Sequence, residues 1–282
     1  METGTIRLIS YAGNGEDVVF TRAFHGSGQD VFVVVGAAHP VWGSVSRNLI
    51  EQLGWTGVHI EPHPVQAQRL RDAYPSHDVE QIAVGERTGT ADYFLLSGDV
   101  DETGTDPNAG LSTMDPAIAA ELTAEGRTIE RHTIPVRRLD DVLEDARVPA
   151  GFGLLKIDVE GYERKVLRGI TLSRWRPKCL LVEATHPNSM RLEDGWRQEI
   201  DQNEYQMVLF GGVNEFFVRR GHPALARLLS IPVNSIDASL SVFWYNRLRP
   251  DARPAVKLTR GLFDRQVSNP RDNVRGFGPR FT

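Results

Sequence analysis

The regular pattern begins with Val31–Val35, five apolar residues (VFVVV) without a polar break. A β-branched run of that kind predicts a strand buried on both faces, as found inside a parallel sheet. Ser44–Leu53 follows with apolar residues at Val45, Leu49, Ile50 and Leu53, the spacing of a helix with one buried side. Gly57–Ile60 predicts a second strand ending in Glu61-Pro62, and a polar helix runs from about Pro64 to Ala73. Glu80–Val84 and Ala91–Leu96 read as further strands around the turn signal Gly85-Glu86-Arg87-Thr88-Gly89.

From Ser97 to about Thr128 the chain is rich in Gly, Asp, Thr and Ala, and its periodicity is weak. It reads as an insertion placed to lid a site. Regularity returns with a strand at Thr133–Val136, a helix at Asp140–Glu144, the strand Leu154–Val159 and a helix from Tyr162 to Leu167 stopped by Gly169. Cys179–Glu183 predicts another buried strand and Trp196–Gln202 a helix. Met207–Phe210 and Glu215–Val218 predict an antiparallel pair across Gly211-Gly212. Strands alternating with helices, closed by a hairpin, predict an α/β fold: a doubly wound, mostly parallel sheet with an antiparallel end.

The 282 residues, 40% apolar and 24% charged, are ordinary for a soluble protein. They divide most simply into one domain over residues 1–246, with the insertion at about 97–130, and an extension over 247–282. No apolar run approaches the ~20 residues of a membrane helix, and METGTIRLIS lacks the pattern of a secretory signal. A single cysteine, Cys179, excludes a disulfide framework and a multi-cysteine zinc site, so a cytoplasmic setting is expected. Net charge is −5, but the segment from Arg247 onward carries +6 and everything before it −11. The acidic body argues against nucleic acid as a partner. The basic end, with Phe263, Phe277 and Phe281, reads either as a surface-hugging segment or as a reach toward an acidic partner. No P-loop, HExxH, CxxC or GxSxG occurs, which removes the chemistries those motifs carry.

In an open α/β sheet, ligands sit beyond the carboxyl ends of the strands. After the first strand stands Gly36-Ala37-Ala38-His39-Pro40, a small-residue turn that lets a ligand approach the backbone and serves equally as a plain tight connection. Glu61 ends the second strand, 25 residues beyond Gly36. An acid there suits the two hydroxyls of a ribose, and with the turn it favours a nucleoside-containing cofactor. Asp158, Glu160 and Gly161 follow one later strand, and Glu183, His186 and Asn188 follow the next. Carboxylates at neighbouring strand mouths can share a hard cation or take a proton from a hydroxyl. Lys156 stands among them as a candidate ion-pair partner, which leaves a purely structural polar network as the other reading. Gly110-Leu111-Ser112-Thr113-Met114, inside the insertion, is placed to cap the pocket.

Taken in order, these stretches resemble the FkbM-type S-adenosylmethionine-dependent methyltransferases. The matching residues are YAGNGEDVV from Tyr11, VVVGAAHPVWGSVSRNL from Val33, GWTGVHIEPHP from Gly54, AVGERTG from Ala83, GLSTM from Gly110, LLKIDVEGYERKVLRG from Leu154, LVEATHPNS from Leu181 and FGGVNEFFV from Phe210. The resemblance implies a Rossmann-like class I methyltransferase fold and O-methylation of a small-molecule hydroxyl on a sugar, glycoside or polyketide. It further implies that Asn14, Glu16 and Asp17 fold over the cofactor, that Gly36 and Ala37 line its methionine part, that Glu61 holds the ribose and that Ser112 and Thr113 face the substrate. Asp158, Glu160 and Glu183 fall on the family's acidic strand-end positions. For hydroxyl activation two routes stand open: a divalent metal such as Mg2+ held by Asp158 and Glu183, with His186 or Glu160 completing or supporting the shell, or proton removal by His186 itself. One departure is visible, because the family pattern V-D-V-G carries an acid where this chain has Val34. Either another acid such as Asp17 substitutes, or the chain is a non-catalytic homologue acting as a binding or assembly partner. A homo-oligomer is compatible with the sequence, and a nicotinamide oxidoreductase lacks its full G-x-G-x-x-G.

Overall fold

The computed structural model describes residues 8–98, 110–187, 189, 191–201 and 204–242. The basic extension 247–282 and Asn188 lie outside the described residues. In chain order the strands are β1 (Leu8–Ser10), β2 (Val31–Val35), β3 (Thr56–Ile60), β4 (Asp78–Glu80), β5 (Ala83–Val84), β6 (Gly89–Leu96), β7 (Ile129–Arg137), β8 (Leu154–Ile157), β9 (Cys179–Glu183), β10 (Tyr205–Phe210), β11 (Asn214–Arg219) and β12 (Ser239–Ser241). The helices are α1 (Glu16–Phe24), α2 (Ser46–Leu53), α3 (Pro64–Ala73), α4 (Pro116–Ala124), α5 (Leu139–Asp145), α6 (Glu163–Arg168), α7 (Leu172–Trp175) and α8 (Pro223–Leu229).

The centre of this α/β fold is a mixed seven-stranded sheet in the order β10-β11-β9-β8-β2-β3-β4. Strands β9, β8, β2, β3 and β4 are parallel, and β11 and β10 close one end as an antiparallel pair. The period of two along each strand sends alternate side chains to opposite faces. Val33, Val35, Leu155, Ile157, Leu180 and Val182 enter one core with residues of α5, α6 and α7. Phe32, Val34, Leu154, Leu181 and Phe216 enter a second core with residues of α1, α2 and α8. Burial on both faces is why β2 reads as an unbroken apolar run. Because these strands are parallel, the chain leaving β2, β3, β8 and β9 emerges on one edge of the sheet.

Several expected elements differ from the structure. The expected strand Glu80–Val84 divides: β4 ends in the central sheet, and after Gln81-Ile82 the chain joins β7 and β6 in a separate three-stranded sheet. The expected helix Trp196–Gln202 is a 3-10 turn over Arg197–Glu199, where Arg197 is drawn into ion pairs with Asp194 and Glu215. Its helical look came from the buried pair Trp196 and Ile200. The insertion contains α4, which the Asp115-Pro116 start encodes: the Asp115 carboxylate accepts from the Ala117 and Ile118 N–H groups at 2.7 and 3.3 Å. Among the described residues, no helix is long and apolar enough to cross a membrane.

Candidate active site

The edge where β2, β3 and β8 end is hollowed into a cavity. Its walls include Gly36, Ala37, Glu61, Gln66, Asp158 and Glu160. The turn after β2 is fixed from below, since the N–H groups of Gly36 and Ala37 donate to the Ile60 carbonyl at 3.0 and 3.2 Å. Gly36 is left-handed at φ +75°, and a Cβ there would stand 1.7 Å from the Asp158 carbonyl oxygen. The glycine is therefore required first by the close packing of the two strand ends. Glu61 is 5% exposed, and its two carboxylate oxygens accept from the Ala38 N–H at 2.7 Å and the His63 N–H at 2.8 Å. These two bonds tie Glu61 to both sides of the cavity floor.

The opposite wall is acidic. Asp158, Glu160 and Glu183 each offer a carboxylate oxygen, and these atoms lie within 4.8 Å of one another. Burial pushes the Glu183 carboxyl well above its usual range, and the charges of Glu160, Asp158 and Glu163 push it further. One Glu183 oxygen is buried with no hydrogen-bond partner among the described residues. Lys156, itself buried, donates to Asp158 at 2.7 Å. Burial acts to lower the lysine's pKa, but Asp158, Glu183 and Glu16 outweigh it and hold the ammonium above its ordinary range. The loop carrying the acids is held from two sides. The Glu163 carboxylate accepts from the Val159 and Gly161 N–H groups at 3.1 and 3.2 Å. The Thr113 hydroxyl donates to the Glu160 carbonyl at 2.6 Å, while Glu160 sits at the left-handed φ of 53°. Burial raises the Glu163 carboxyl to about 7.

Some expected site residues take other places. His186 is not in the carboxylate group. It leaves β9 through a return closed by the Thr185–Leu192 bridge, and its Nδ1 accepts from Arg191 at 2.8 Å, so its Nε2–H donates to Glu121 at 2.7 Å. Both ring nitrogens are thus engaged, by Arg191 and Glu121. Asp17 is 0% exposed and accepts from the Ser10 hydroxyl, the N–H groups of Tyr11 and Val18, and the Asn48 amide. Glu16 accepts from the Asn14 N–H at 2.9 Å and from the Asn214 amide at 2.7 Å. Asn14, Glu16 and Asp17 form a clasp between the N-terminal segment, α2 and β11, and are not among the residues that line the cavity. Ser112 does line the cavity, while its hydroxyl accepts from the Leu96 N–H at 3.0 Å. Gln66 and Glu163 were not anticipated. A glutamine three residues into a Pro-started helix, and an acid just past Glu-Gly, are the signals that mark them in the sequence.

A profile of the methyltransferase FkbM domain matches residues 35–210, more than half of the chain. The chain belongs to the FkbM methyltransferase family. A relative in Streptomyces tacrolimicus, 31-O-demethyl-FK506 methyltransferase FkbM, is 31% identical over 156 residues, 49% of this chain. The match spans 58% of that relative's length. The crystal structure of methyltransferase FkbM from Methylobacillus flagellatus KT aligns over 67% of this chain and 43% of its own, at 18% identity and a TM-score of 0.43. Within this FkbM-family chain, the matched span contains the Gly36 turn, Glu61 and all three clustered carboxylates.

Proposed function

We propose that this chain is an S-adenosylmethionine-dependent O-methyltransferase of class I, doubly wound architecture, acting on a hydroxyl of a sugar, glycoside or polyketide-type metabolite. One observation carries the reading: a single cavity has the Gly36 turn and Glu61 on one wall and Asp158 with Glu160 on the other. The relative from S. tacrolimicus is named a 31-O-demethyl-FK506 methyltransferase, which supports an oxygen as the methyl acceptor here. S-adenosylmethionine supplies a methyl group on a sulfonium, and transfer forms a C–O bond as the C–S bond breaks and its electron pair stays on sulfur. Glu61 would take the ribose hydroxyls, and the Gly36 turn would let the amino acid part lie against the backbone. Asp158 or Glu160 would accept the hydroxyl proton, since both are partly exposed at the cavity while Glu183 lies buried behind them. Alignment of the oxygen is the other contribution, with ~7–11 kcal/mol available from near-attack geometry in favourable systems.

The residues also fit a hard cation. Three clustered carboxylate oxygens, one Glu183 oxygen without a partner, and the donor chemistry suit Mg2+ held by Asp158, Glu160 and Glu183, where it would lower the pKa of a bound hydroxyl. Calorimetry with S-adenosylhomocysteine, with and without Mg2+, tests the whole reading. Wild type should bind in the micromolar range. Glu61→Ala should weaken binding about tenfold or more, the value of one or two charged hydrogen bonds. Asp158→Ala should bind within about twofold of wild type and lose methyl transfer to every acceptor. Equal loss of binding in both variants would overturn the assignment of the walls. No binding by wild type would favour the non-catalytic homologue.

A further inference from the structure

The Gln66 side chain has a role that the proposed reaction does not yet use. It stands third in α3, after Pro64 and Val65, with His63 as the N-cap. A glutamine at that position ordinarily turns back to accept from the N–H of the N-cap residue. Here the His63 N–H already donates to Glu61 at 2.8 Å, and the cap is completed by His63 Nδ1 accepting from the Val65 N–H at 3.2 Å. Gln66 is thereby released from capping. It is only 6% exposed, it lines the cavity, and its amide oxygen is buried without a hydrogen-bond partner among the described residues. A buried amide group left unpaired costs about 1–3 kcal/mol, so a partner arriving with a ligand would remove a real penalty.

The order of strands says which part of a ligand would arrive there. Along the sheet edge the sequence is β9, β8, β2, β3, with neighbours ~4.8 Å apart, so β8 and β3 stand about 10 Å from one another. The acids lie at the β8 and β9 end, the glycine turn in the middle and Glu61 at β3, with α3 following directly from β3. A nucleoside whose ribose rests on Glu61 and whose reacting end points to Asp158 must direct its base away from β8, toward Gln66. A primary amide offers one acceptor beside one donor, which matches the amine and ring nitrogen on one edge of adenine.

We propose that Gln66 reads the adenine base of the cofactor through its exocyclic amine and ring N7, and so sets adenine specificity in this chain. The inference rests on the S-adenosylmethionine reading above. It is tested with two probes, S-adenosylhomocysteine and its deaminated analogue S-inosylhomocysteine, titrated calorimetrically into the full chain. Wild type should prefer the adenine compound by about tenfold or more, the discrimination of one bidentate amide contact. Gln66→Leu, with Gln66→Met as a second apolar replacement, should lose most of that preference by weakening the adenine compound alone. If wild type binds S-adenosylhomocysteine but both variants keep the same ratio, Gln66 does not read the base and the methyltransferase reading stands. Equal weakening of both compounds would assign Gln66 a structural role and overturn the inference. If wild type binds neither compound, the cofactor reading fails and the inference with it. Wild type's own ratio needs no variant: equal affinities for the two compounds would refute base reading even if neither replacement folded.

Discussion

Asp17 is the residue whose expected and observed places differ most, and its environment makes a quantitative demand on stability. Burial pushes its carboxyl up to about 7, against the pull of the Ser10 hydroxyl and the Tyr11 N–H, with the charge of Glu16 adding to the rise. In the unfolded chain an aspartate titrates near ~3.9. Between those two values the unfolded chain gives up its proton first, so the folded state binds more protons and loses stability as pH rises. The contribution is fully present below about 4, falls through the window from 4 to 7 and is gone above it. Three units of difference at ~1.36 kcal/mol each give about 4 kcal/mol.

Urea denaturation of wild type and Asp17→Asn, repeated at half-unit steps from pH 4 to 8, isolates this contribution. Glu163 and Glu183 are also raised, but they act in both proteins and cancel from the difference. The asparagine amide is neutral throughout, so wild-type stability minus variant stability should fall by about 4 kcal/mol across the range, most steeply between about 4.5 and 6.5. S-adenosylhomocysteine affinity should be the same in both proteins, because Asp17 belongs to the clasp. A difference that stays flat, or one that moves in wild type's favour as pH rises, would show that the four donors outweigh burial and would refute the reasoning.

Gly36→Ala should destabilise the fold by about 2–4 kcal/mol, the sum of a left-handed alanine and a clash with the Asp158 carbonyl 1.7 Å from the new Cβ. Urea denaturation reads it, and a loss under ~1 kcal/mol would mean that the two strand ends separate freely. Glu183→Gln replaces a buried carboxyl that burial and the charges of Glu160, Asp158 and Glu163 hold high with a neutral amide. In metal-free protein at pH 8 its melting temperature should equal or exceed that of wild type. A clear fall would show that the charge on Glu183 is needed as a partner for Lys156.

The central strands were legible because burial on both faces leaves VFVVV without a polar break, CLLVE apolar up to its last residue, and LLKI with a single polar residue, Lys156. The step between β4 and β5 was not, since leaving one sheet for another at Gln81-Ile82 changes no residue type and no periodicity. The acids at 158, 160 and 183 were legible for a related reason: they directly follow or end parallel strands, and strand ends share one edge. For His186 the same argument reaches less far, because three residues beyond a strand end the chain direction is set by tertiary contacts. Here the Thr185–Leu192 bridge and Arg191 turn the ring to Glu121. Asn14, Glu16 and Asp17 were drawn to the site by position in a motif, and only their burial and donors reveal the clasp. Gln66 escaped notice because its signal is a missing partner, and sequence does not record which N–H groups are already taken.

The same accounting changes what Val34 means. In register it lies beside His59 on β3 and Lys156 on β8, and it is 3% exposed in the second core with Phe32 and Leu181. Neighbours paired in parallel register project to the same face, so an acid at 34 would meet the Lys156 side chain. With valine there, the ammonium turns its hydrogen bond to Asp158 and keeps the field of Glu183 and Glu16. The departure from V-D-V-G therefore removes a charge beside Lys156 and fills the space with a side chain that the core accepts. Val35, Gly36, Ala37, Ala38 and His39, the residues of that strand and turn that line the cavity, are left in place. Lys156 is in turn the cation already beside the carboxylates, so any divalent ion there must share Asp158 with it. That competition, set by a residue buried one strand away, is where the chemistry of position 34 reaches the site.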